Sequence, residues 1–361
     1  DYRWGKCMNK LITEVSERSK SDAVGDEVDY QDTLPVNSKE LIDYVSGVPS
    51  VEFISEEVNR FLNSNEYKLM KLGERYYRMH PDIEQKRRWV IKDQNSQEEN
   101  TLLHNSRLKH AFLYKLLRQK KNYLFGRPFT ISVTGGKDKV DDDFQTYLEN
   151  KVFTEGLRAQ LADASVDAGK YGKTWIQVYY DDNAQLHLNF VPGITVKAYW
   201  KDNAHTQLSA ILRVYQVTNV DDKGSFSQTM RVEFYNATGV YYFDKGSKDD
   251  GFKLHNFDAT NVFDPDRPNY KPYYQYKERQ LDEATGQLVD KLQAGNFNDL
   301  GGVPFICIKY NPDELPLIAF IKDLVDDYDE VSSTVSDYLH DVSQSTKVVK
   351  GFDGGQKEAS T

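Results

Sequence analysis

The sequence predicts an α+β protein in which a β-rich middle lies between two helical parts. From residue 173 to about 260 the chain is rich in β-branched and aromatic residues, and polar turns interrupt it as in successive hairpins. From 315 to 343 apolar side chains recur in steps of mostly three and four, which predicts one long helix. The length of 361 residues allows two or three structural units with buried cores.

The part before residue 173 is predicted to be mainly helical. Helices are expected at 52–63, 65–79, 101–125 and 141–153. Leu108, Phe112, Leu116 and Leu117 would line one face of the third helix, which would end near Gly126 and Pro128. The segment "FTISV" that follows has the composition of a short strand.

The β-rich middle is expected to consist of hairpins and one later strand. The predicted strands lie in "TWIQVYY", "QLHLNFV", "LSAILRVYQV", "MRVEFYNATGVYYF", "FKLHNF" and "GVPFICIKY". Residues 261–300, which precede the last of these, are expected to be mostly loop.

The triplet Gly172-Lys173-Thr174 resembles the end of a phosphate-binding loop. Such a loop needs G-x-x-x-x-G-K-[ST] between a strand and the helix that it opens. The first glycine is replaced by Asp167, whose carboxylate would repel phosphate. The preceding residues instead predict a helix that ends at Gly169, and "KTWIQVYYD" predicts a strand. We therefore expect the order helix, turn, strand, and no nucleotide site.

No other pattern predicts an enzyme, a metal site or a cofactor. The seven histidines are scattered, and no nucleophile elbow is present. Cys7 and Cys307 are the only cysteines, which excludes a disulfide framework, and Cys307 lies in an apolar run that favours a buried thiol. The acids of "VDDYDE" (325–330) are interpreted as a solvated helix face. A formal net charge of −10 argues against general binding to duplex DNA, and no apolar run is long enough to cross a membrane.

The predicted long helix combines an apolar seam with many acids. The seam consists of Leu317, Ile321, Leu324, Tyr328, Val331, Val335, Leu339 and Val342. Asn311 and Asp313 are candidates for its N-cap. Because the chain offers few partners for this seam, we expect it to contact neighbouring copies. The acids expected to face a subunit interface or, at least partly, a DNA path are Asp323, Asp326, Asp327, Glu330 and Asp337.

A basic stretch precedes the β-rich middle. Residues 107–127 contain seven Lys or Arg and no acid. The residues expected to form a basic contact face are Lys115, Arg118, Lys120, Lys121 and Arg127. This face is either simply solvated or contacts a neighbouring subunit or DNA.

Three stretches, taken in order, resemble the portal proteins of long-tailed bacteriophages of the Gram-positive-phage type. The first is "NYLFGRPFTISV" (122–133), where Arg127 replaces the family's usual Lys. The second is "DAGKYGKTWIQVYYDDNAQLHLNFVPGITVKAYW" (167–200). The third, 302–351, combines an apolar strand, a helix containing "VDDYDEVSS" and a final glycine. An upstream segment, "ERYYRMHPDI" (74–83), is also similar, and the order and spacing together carry the resemblance.

The resemblance implies a ring, usually of twelve copies, at one capsid vertex of the virion, assembled in the host cytoplasm. Double-stranded DNA would pass through its axis, and the ATP-hydrolysing terminase large subunit would dock on it. Other implied partners are the major capsid protein, the scaffolding protein and a neck protein. The alternatives are another β-rich virion adaptor or scaffold without enzymatic activity, and a hydrolase with an unrecognised acid pair.

The portal fold implied by the resemblance has a wing, a stem, a clip and a crown. It would assign 1–64 to an N-terminal peripheral segment, 65–310 to the wing, 311–345 to the stem helix and 346–361 to the start of the clip. The second stem helix and the crown would come after residue 361.

Overall fold

The computed structural model describes residues 37–85, 105–127, 129–133, 142–180, 186–220, 224–247, 249–257, 263–273, 275–281, 288–294 and 302–344. The chain divides into two compact units. The larger unit comprises Glu27–Arg78 and Leu113–Phe320, and the smaller unit includes Met79–Phe112 and the chain from Ile321 onward. The expected clip segment, 346–361, and residues 1–36 of the expected peripheral segment lie outside the described residues.

Helices occupy both ends of the described chain, and together with the sheets they make the fold α+β. The α-helices are α1 (Lys39–Val45), α2 (Val51–Leu62), α3 (Asn65–Tyr77), α4 (Phe112–Phe125), α5 (Asp142–Tyr147), α6 (Glu155–Tyr171) and α7 (Ile318–Gln344). Short 3-10 turns occur at Asp82–Glu84 and Gly193–Thr195, and a π-turn at Leu148–Val152 continues α5. Side-chain oxygens satisfy the first free backbone N–H groups of α1, α2, α3 and α6. The capping residues are Ser38, Ser50, Ser64 and Thr154.

The strands form antiparallel sheets. They are β1 (Lys173–Tyr180), β2 (Leu186–Pro192), β3 (Val196–Trp200), β4 (Leu208–Val220), β5 (Phe226–Tyr235), β6 (Val240–Gly246), β7 (Lys253–Leu254), β8 (Tyr270–Lys271), β9 (Gln275–Leu281), β10 (Leu288–Ala294) and β11 (Phe305–Lys309). One sheet has the order β11-β1-β2. A second has the order β3-β4-β5-β6-β7, with β8 also on β6, and β9 pairs with β10 in a separate hairpin.

The larger unit buries both faces of its six-stranded sheet. Along β4, Ala210 and Leu212 join a cluster with α1 and α2, whereas Ile211 joins a cluster with the three-stranded sheet. The second cluster centres on Trp175, which is fully buried and stacked at 5.8 Å on Trp200. Because both faces of β4 are covered, the three consecutive residues Ala210, Ile211 and Leu212 are all apolar and do not alternate with polar ones.

The helix expected at 101–125 begins later than predicted. Its first regular residue is Phe112, and residues 105–111 are not helical. The buried residues are Leu113 and Leu117, whereas Leu108 and Leu116 are exposed. Leu117 packs so closely against α6 that a Cβ on Gly169 would lie 2.2 Å from its side chain, so any larger residue there would displace Leu117.

Most predicted strands are confirmed, with four differences. The segment "FTISV" (129–133) is not a strand. In the region expected to be loop, the hairpin of β9 and β10 forms, and β3 was not predicted separately. Of "FKLHNF", only the two residues of β7 are in a sheet. Short or two-stranded elements depend on cross-strand partners that lie elsewhere in the sequence, so a local pattern predicts them poorly.

Candidate assembly site on the long helix

A buried ionic cluster in the larger unit fixes the chain just before α7. Glu314 lies four residues before Ile318, the first residue of α7, and is almost completely buried. Its Oε2 accepts a hydrogen bond from Lys173 Nζ at 2.6 Å. Its Oε1 lies 2.8 Å from His205 Nδ1 and 3.0 Å from Lys309 Nζ. Burial alone would raise the pKa of Glu314, but its lysine and histidine partners outweigh burial and lower the pKa to about 2.

The GK[ST] triplet is part of this cluster and has a structural role. The ammonium of Lys173 lies 2.6 Å from a carboxylate oxygen of Glu66 and 2.6 Å from one of Glu314. Burial opposes its charge, yet the two carboxylates outweigh burial and raise the pKa of Lys173. Gly172 has a φ of 83° and ends α6, and a Cβ there would lie 1.9 Å from the carbonyl oxygen of Glu314. The expected order helix, turn, strand is confirmed, although the helix ends at Gly172 and not at Gly169.

The N-terminus of α7 differs from the prediction. Because α7 begins at Ile318, neither Asn311 nor Asp313 is its N-cap. The side chain of Asn311 instead closes a turn, accepting from the N–H of Leu315 at 3.0 Å and donating to its carbonyl at 2.7 Å. Glu314 has a positive φ of 58°, which is uncommon for a residue with a side chain. Such a conformation persists where surrounding contacts impose it, as the ionic cluster does here.

In the smaller unit, α7 carries a polar ladder that binds the non-helical segment 105–111, which we call the strap. Three backbone N–H groups of the strap donate to side chains of α7. The pairs are Ser106 to Asp337 Oδ1 (2.7 Å), Leu108 to Ser333 Oγ (2.9 Å) and His110 to Asp329 Oδ1 (3.1 Å). Alternate residues of an extended chain are about 6.8 Å apart, and every fourth residue of a helix is about 6 Å apart. The spacing of the N–H groups along the strap therefore matches the spacing of the α7 side chains over three consecutive hydrogen bonds.

Asp329 is the most buried member of the polar ladder. Its side chain is 0% exposed, and Oδ1 also lies 2.7 Å from Nδ1 of His110. Oδ2 has no hydrogen-bond partner among the residues that the structure describes. Burial raises the pKa of Asp329, although His110 opposes this effect. The interpretation of "VDDYDE" as a wholly solvated face was therefore wrong for this residue, because a lone strap segment covers it.

The opposite side of α7 is an exposed apolar stripe. It consists of Phe320, Leu324, Tyr328, Val331, Val335, Tyr338, Leu339 and Val342. Their exposed fractions run from 47% for Val342 to 72% for Leu324. At about 100° per residue they share an arc of about 100°. Leu317 and Ile321, which were predicted in the same seam, are half-buried. A contiguous exposed apolar surface of this kind marks an interaction site.

An acidic flank borders the apolar stripe. It consists of Asp323, Asp327 and Glu330, all exposed. Asp327 lies one helical turn from both Leu324 and Val331, and these spacings make the three residues neighbours on the helix surface. Within the described residues, no cation lies within ion-pair distance of Asp323 or Asp327.

The other two acids predicted for this face contact their own chain. Asp326 pairs with Lys322 at 2.5 Å, and Lys322 also contacts Asp82 at 2.7 Å. Asp337 accepts the hydrogen bond from the strap. They therefore belong to the inner side of α7.

Helix α4 carries the predicted basic face, and only part of it is paired. Lys121 forms an ion pair with Asp163 at 2.5 Å, and Arg118 is hydrogen-bonded to Tyr77. Arg127 is exposed. The same helix also exposes a surface that we call the basic-apolar face. It consists of Lys115, Leu116, Lys120, Tyr123 and Leu124. Lys120 bonds the hydroxyl of Tyr310, but in the described chain no carboxylate lies within ion-pair distance of Lys115 or Lys120.

The described residues contain neither a metal-binding cluster nor a reactive thiol. No group of three or more His, Cys, Asp or Glu among them could hold a metal ion. Cys307 is half-buried in β11, and burial raises the pKa of its thiol to about 12, so it is not a thiolate nucleophile at neutral pH. None of the helices in the described ranges combines the length and apolar character of a membrane-spanning segment.

Two features of this site were missed from the sequence. Glu314 lies in the polar segment "NPDELP", and its buried partners come from distant parts of the chain, so no local pattern indicates its role. The polar ladder did leave a signal, since Asp329, Ser333 and Asp337 recur every four residues on one face of the predicted helix.

Comparison with known proteins assigns the chain to a protein family. A family model described as "Phage portal protein, SPP1 Gp6-like" matches residues 62–360, and the chain belongs to this family. The portal protein of Bacillus phage SPP1 is 25% identical over 284 residues. The match covers 78% of this chain and 49% of the SPP1 protein, so the chain spans about half the length of that relative.

Proposed function

We propose that this protein is a phage portal protein, which forms a closed ring through which double-stranded DNA enters and leaves the capsid. The observation that carries the proposal is the family match over residues 62–360. The exposed apolar stripe of α7 agrees with it, because a monomer would leave this surface in water and a ring would cover it.

The apolar stripe is proposed as the seam between copies. Most of its side chains lie on the side of α7 away from the polar ladder, although Tyr328 at the edge of the stripe packs edge-on against His110 and Phe112. The inner side of the helix is held by hydrogen bonds and the outer side is apolar, so burial of the outer side is the free-energy gain that favours association. The resemblance implies twelve copies.

The proposed partners follow from the same role. They are the major capsid protein, the scaffolding protein, the terminase large subunit and a neck protein, together with the DNA. The proposed location is the capsid vertex of the virion, after assembly in the host cytoplasm. The proposed role involves no enzymatic activity, and the terminase would hydrolyse the ATP.

Negative-stain electron microscopy of the purified protein tests the proposal. We expect closed rings of uniform diameter with a central opening. Monomers or open chains at all concentrations and salt conditions would contradict it. Co-sedimentation with the terminase large subunit of the same phage then separates a portal from a β-rich adaptor, since only the portal is expected to bind it.

A further inference from the structure

We propose that the acidic flank of α7 in one copy docks on the basic-apolar face of α4 in the next copy. This inference rests on the proposed function, because it names the two surfaces that join neighbouring copies in the ring. The occupant of the acidic flank is thus a second copy of this chain.

Both surfaces have the same mixed composition with opposite charge. On α7, Asp323, Asp327 and Val331 follow one another at four-residue steps, and Leu324 lies beside them. On α4, Leu116, Lys120 and Leu124 follow the same step, and Lys115 and Tyr123 lie in the adjacent row. Each surface can therefore bury apolar area while its charges meet partners.

The charges on the two surfaces are not spaced alike. Asp323 and Asp327 lie one turn apart, about 40° apart around α7, whereas Lys115 and Lys120 are five residues apart and about 140° apart around α4. The two lysines therefore flank the apolar row of Leu116 and Tyr123, and their long side chains can reach over it toward a helix that packs there. In the described chain, neither pair has an ion-pair partner of opposite charge. Lys120 keeps donors for a carboxylate, since an ammonium group has three and the hydroxyl of Tyr310 uses one.

The apolar content of the α4 face favours a protein partner over DNA. Tyr123 is 89% exposed and Leu124 is 64% exposed, directly beside the lysines. A phosphate backbone would contact the lysines and leave these side chains in water, whereas a mixed acidic and apolar helix covers both.

The two surfaces lie on different helices, so the contact is head-to-tail. In such a contact, each copy uses its acidic flank toward one neighbour and its basic-apolar face toward the other. Repeating the contact closes a ring if the rotation between successive copies adds up to a full turn. It also places opposite charges together in a protein whose formal charge is −10, where copies otherwise repel one another.

The test uses two charge-reversed variants and their mixture. Variant A carries Asp323→Lys and Asp327→Lys, and variant B carries Lys115→Glu and Lys120→Glu. Sedimentation velocity should show that each alone needs about tenfold more protein for half-maximal assembly, which corresponds to about 1.4 kcal/mol. An equal mixture should assemble like the wild type, because each reversed surface then meets a complementary one on the other variant.

Several outcomes would overturn the proposal. One is a mixture that assembles no better than variant A or B alone. Another is a variant B that assembles normally but loses affinity for a duplex DNA oligonucleotide, which would assign the α4 face to DNA. If charge reversal changes the circular dichroism spectrum, milder variants replace A and B, namely Asp323→Asn/Asp327→Asn and Lys115→Gln/Lys120→Gln. The two milder variants are then also combined in one chain. Effects on assembly that simply add in the combined variant would refute the contact. A wild type that forms no rings would instead contradict the proposed function.

Discussion

Glu314 is the residue that connects the β-rich part of the chain to its long helix. The carboxylate contacts two lysines that precede it in sequence, one on β1 and one at the end of β11, and it precedes α7 by only four residues. Since the group is buried, its charge is tolerated because those partners are present. The chain that leads into α7 is thus held by one buried ion cluster.

Replacing Glu314 with Gln should destabilise the protein at neutral pH. The variant leaves the ammonium of Lys173 buried with one carboxylate instead of two, and we expect a loss of roughly 3 kcal/mol in the free energy of unfolding. The folded-state pKa of about 2 lies below the ordinary value of 4.5, so the carboxylate stabilises the fold above pH 4.5. Urea unfolding should therefore show the wild-type advantage at pH 7 and a smaller one as the pH falls from 4.5 toward 2.

The exposed neighbour provides the matched control for this prediction. Asp313→Asn removes one carboxylate from the same segment without entering the cluster, and it should change the free energy of unfolding by less than about 0.5 kcal/mol. Equal effects of both substitutions would show that the cluster contributes nothing specific.

Lys173 should have no role in nucleotide chemistry. It is buried between two carboxylates, so its ammonium cannot reach a phosphate without breaking both contacts. We predict that the purified protein releases no phosphate from ATP, as measured with a colorimetric phosphate assay. Phosphate release that disappears in a folded Lys173→Met variant would contradict this prediction.

At the scale of elements, α7 packs against its own chain through a polar ladder together with Ile318 and Val325, and it exposes an apolar stripe to water. The sequence pattern predicted the helix and its apolar seam correctly as local features, because a 3.6-residue period is visible without a partner. It did not predict which side packs on the strap. That side is decided by hydrogen-bond donors from residues 106–110, which were expected to be helical and have no local signal for an irregular segment.

Val331→Asp should weaken assembly while leaving the fold of each copy intact. Val331 is 53% exposed in the single chain, so the new carboxylate is solvated before assembly and buried afterwards. We expect a loss of several kcal/mol per seam, of the order of the cost of burying an unpaired charge, and hence smaller species in light scattering.

A control for Val331→Asp adds the same charge on the other side of α7. His340 is exposed and lies about 180° around the helix from the stripe, so His340→Asp should leave the size distribution unchanged. Normal rings formed by Val331→Asp would remove the stripe from the subunit interface.

For the whole molecule, charge sets the expected relation to DNA. Residues 313–341 contain nine acids and one lysine, and phosphate binding depends on Lys and Arg that release counterions. We predict that the purified protein does not retard a duplex oligonucleotide in a gel at 0.1 M salt, where screening acts over about 10 Å. Tight binding that weakens steeply with added salt would show that the basic residues of α4 govern the surface instead.

The overall α+β class and most element boundaries could be predicted because they depend on local periodicity and turn residues. The hairpin of β9 and β10 and the position of β3 could not, since short strands are stabilised by partners distant in sequence. Of the candidate site, the exposed stripe was predictable from its spacing, whereas the cluster around Glu314 was not. Its members come from four separate segments, around residues 66, 173, 205 and 309–314, that only the folded chain brings together.

Because the polar ladder and the apolar stripe lie on different sides of α7, the helix can fold against its own chain before it associates with other copies. Hydrogen bonds to the strap involve one side of the helix and require only the chain itself, so they form at any protein concentration. The apolar stripe requires other molecules, so its burial depends on how many copies are present. A newly made chain can therefore complete its own fold before it meets other copies. The timing of particle construction would then be set by the supply of subunits.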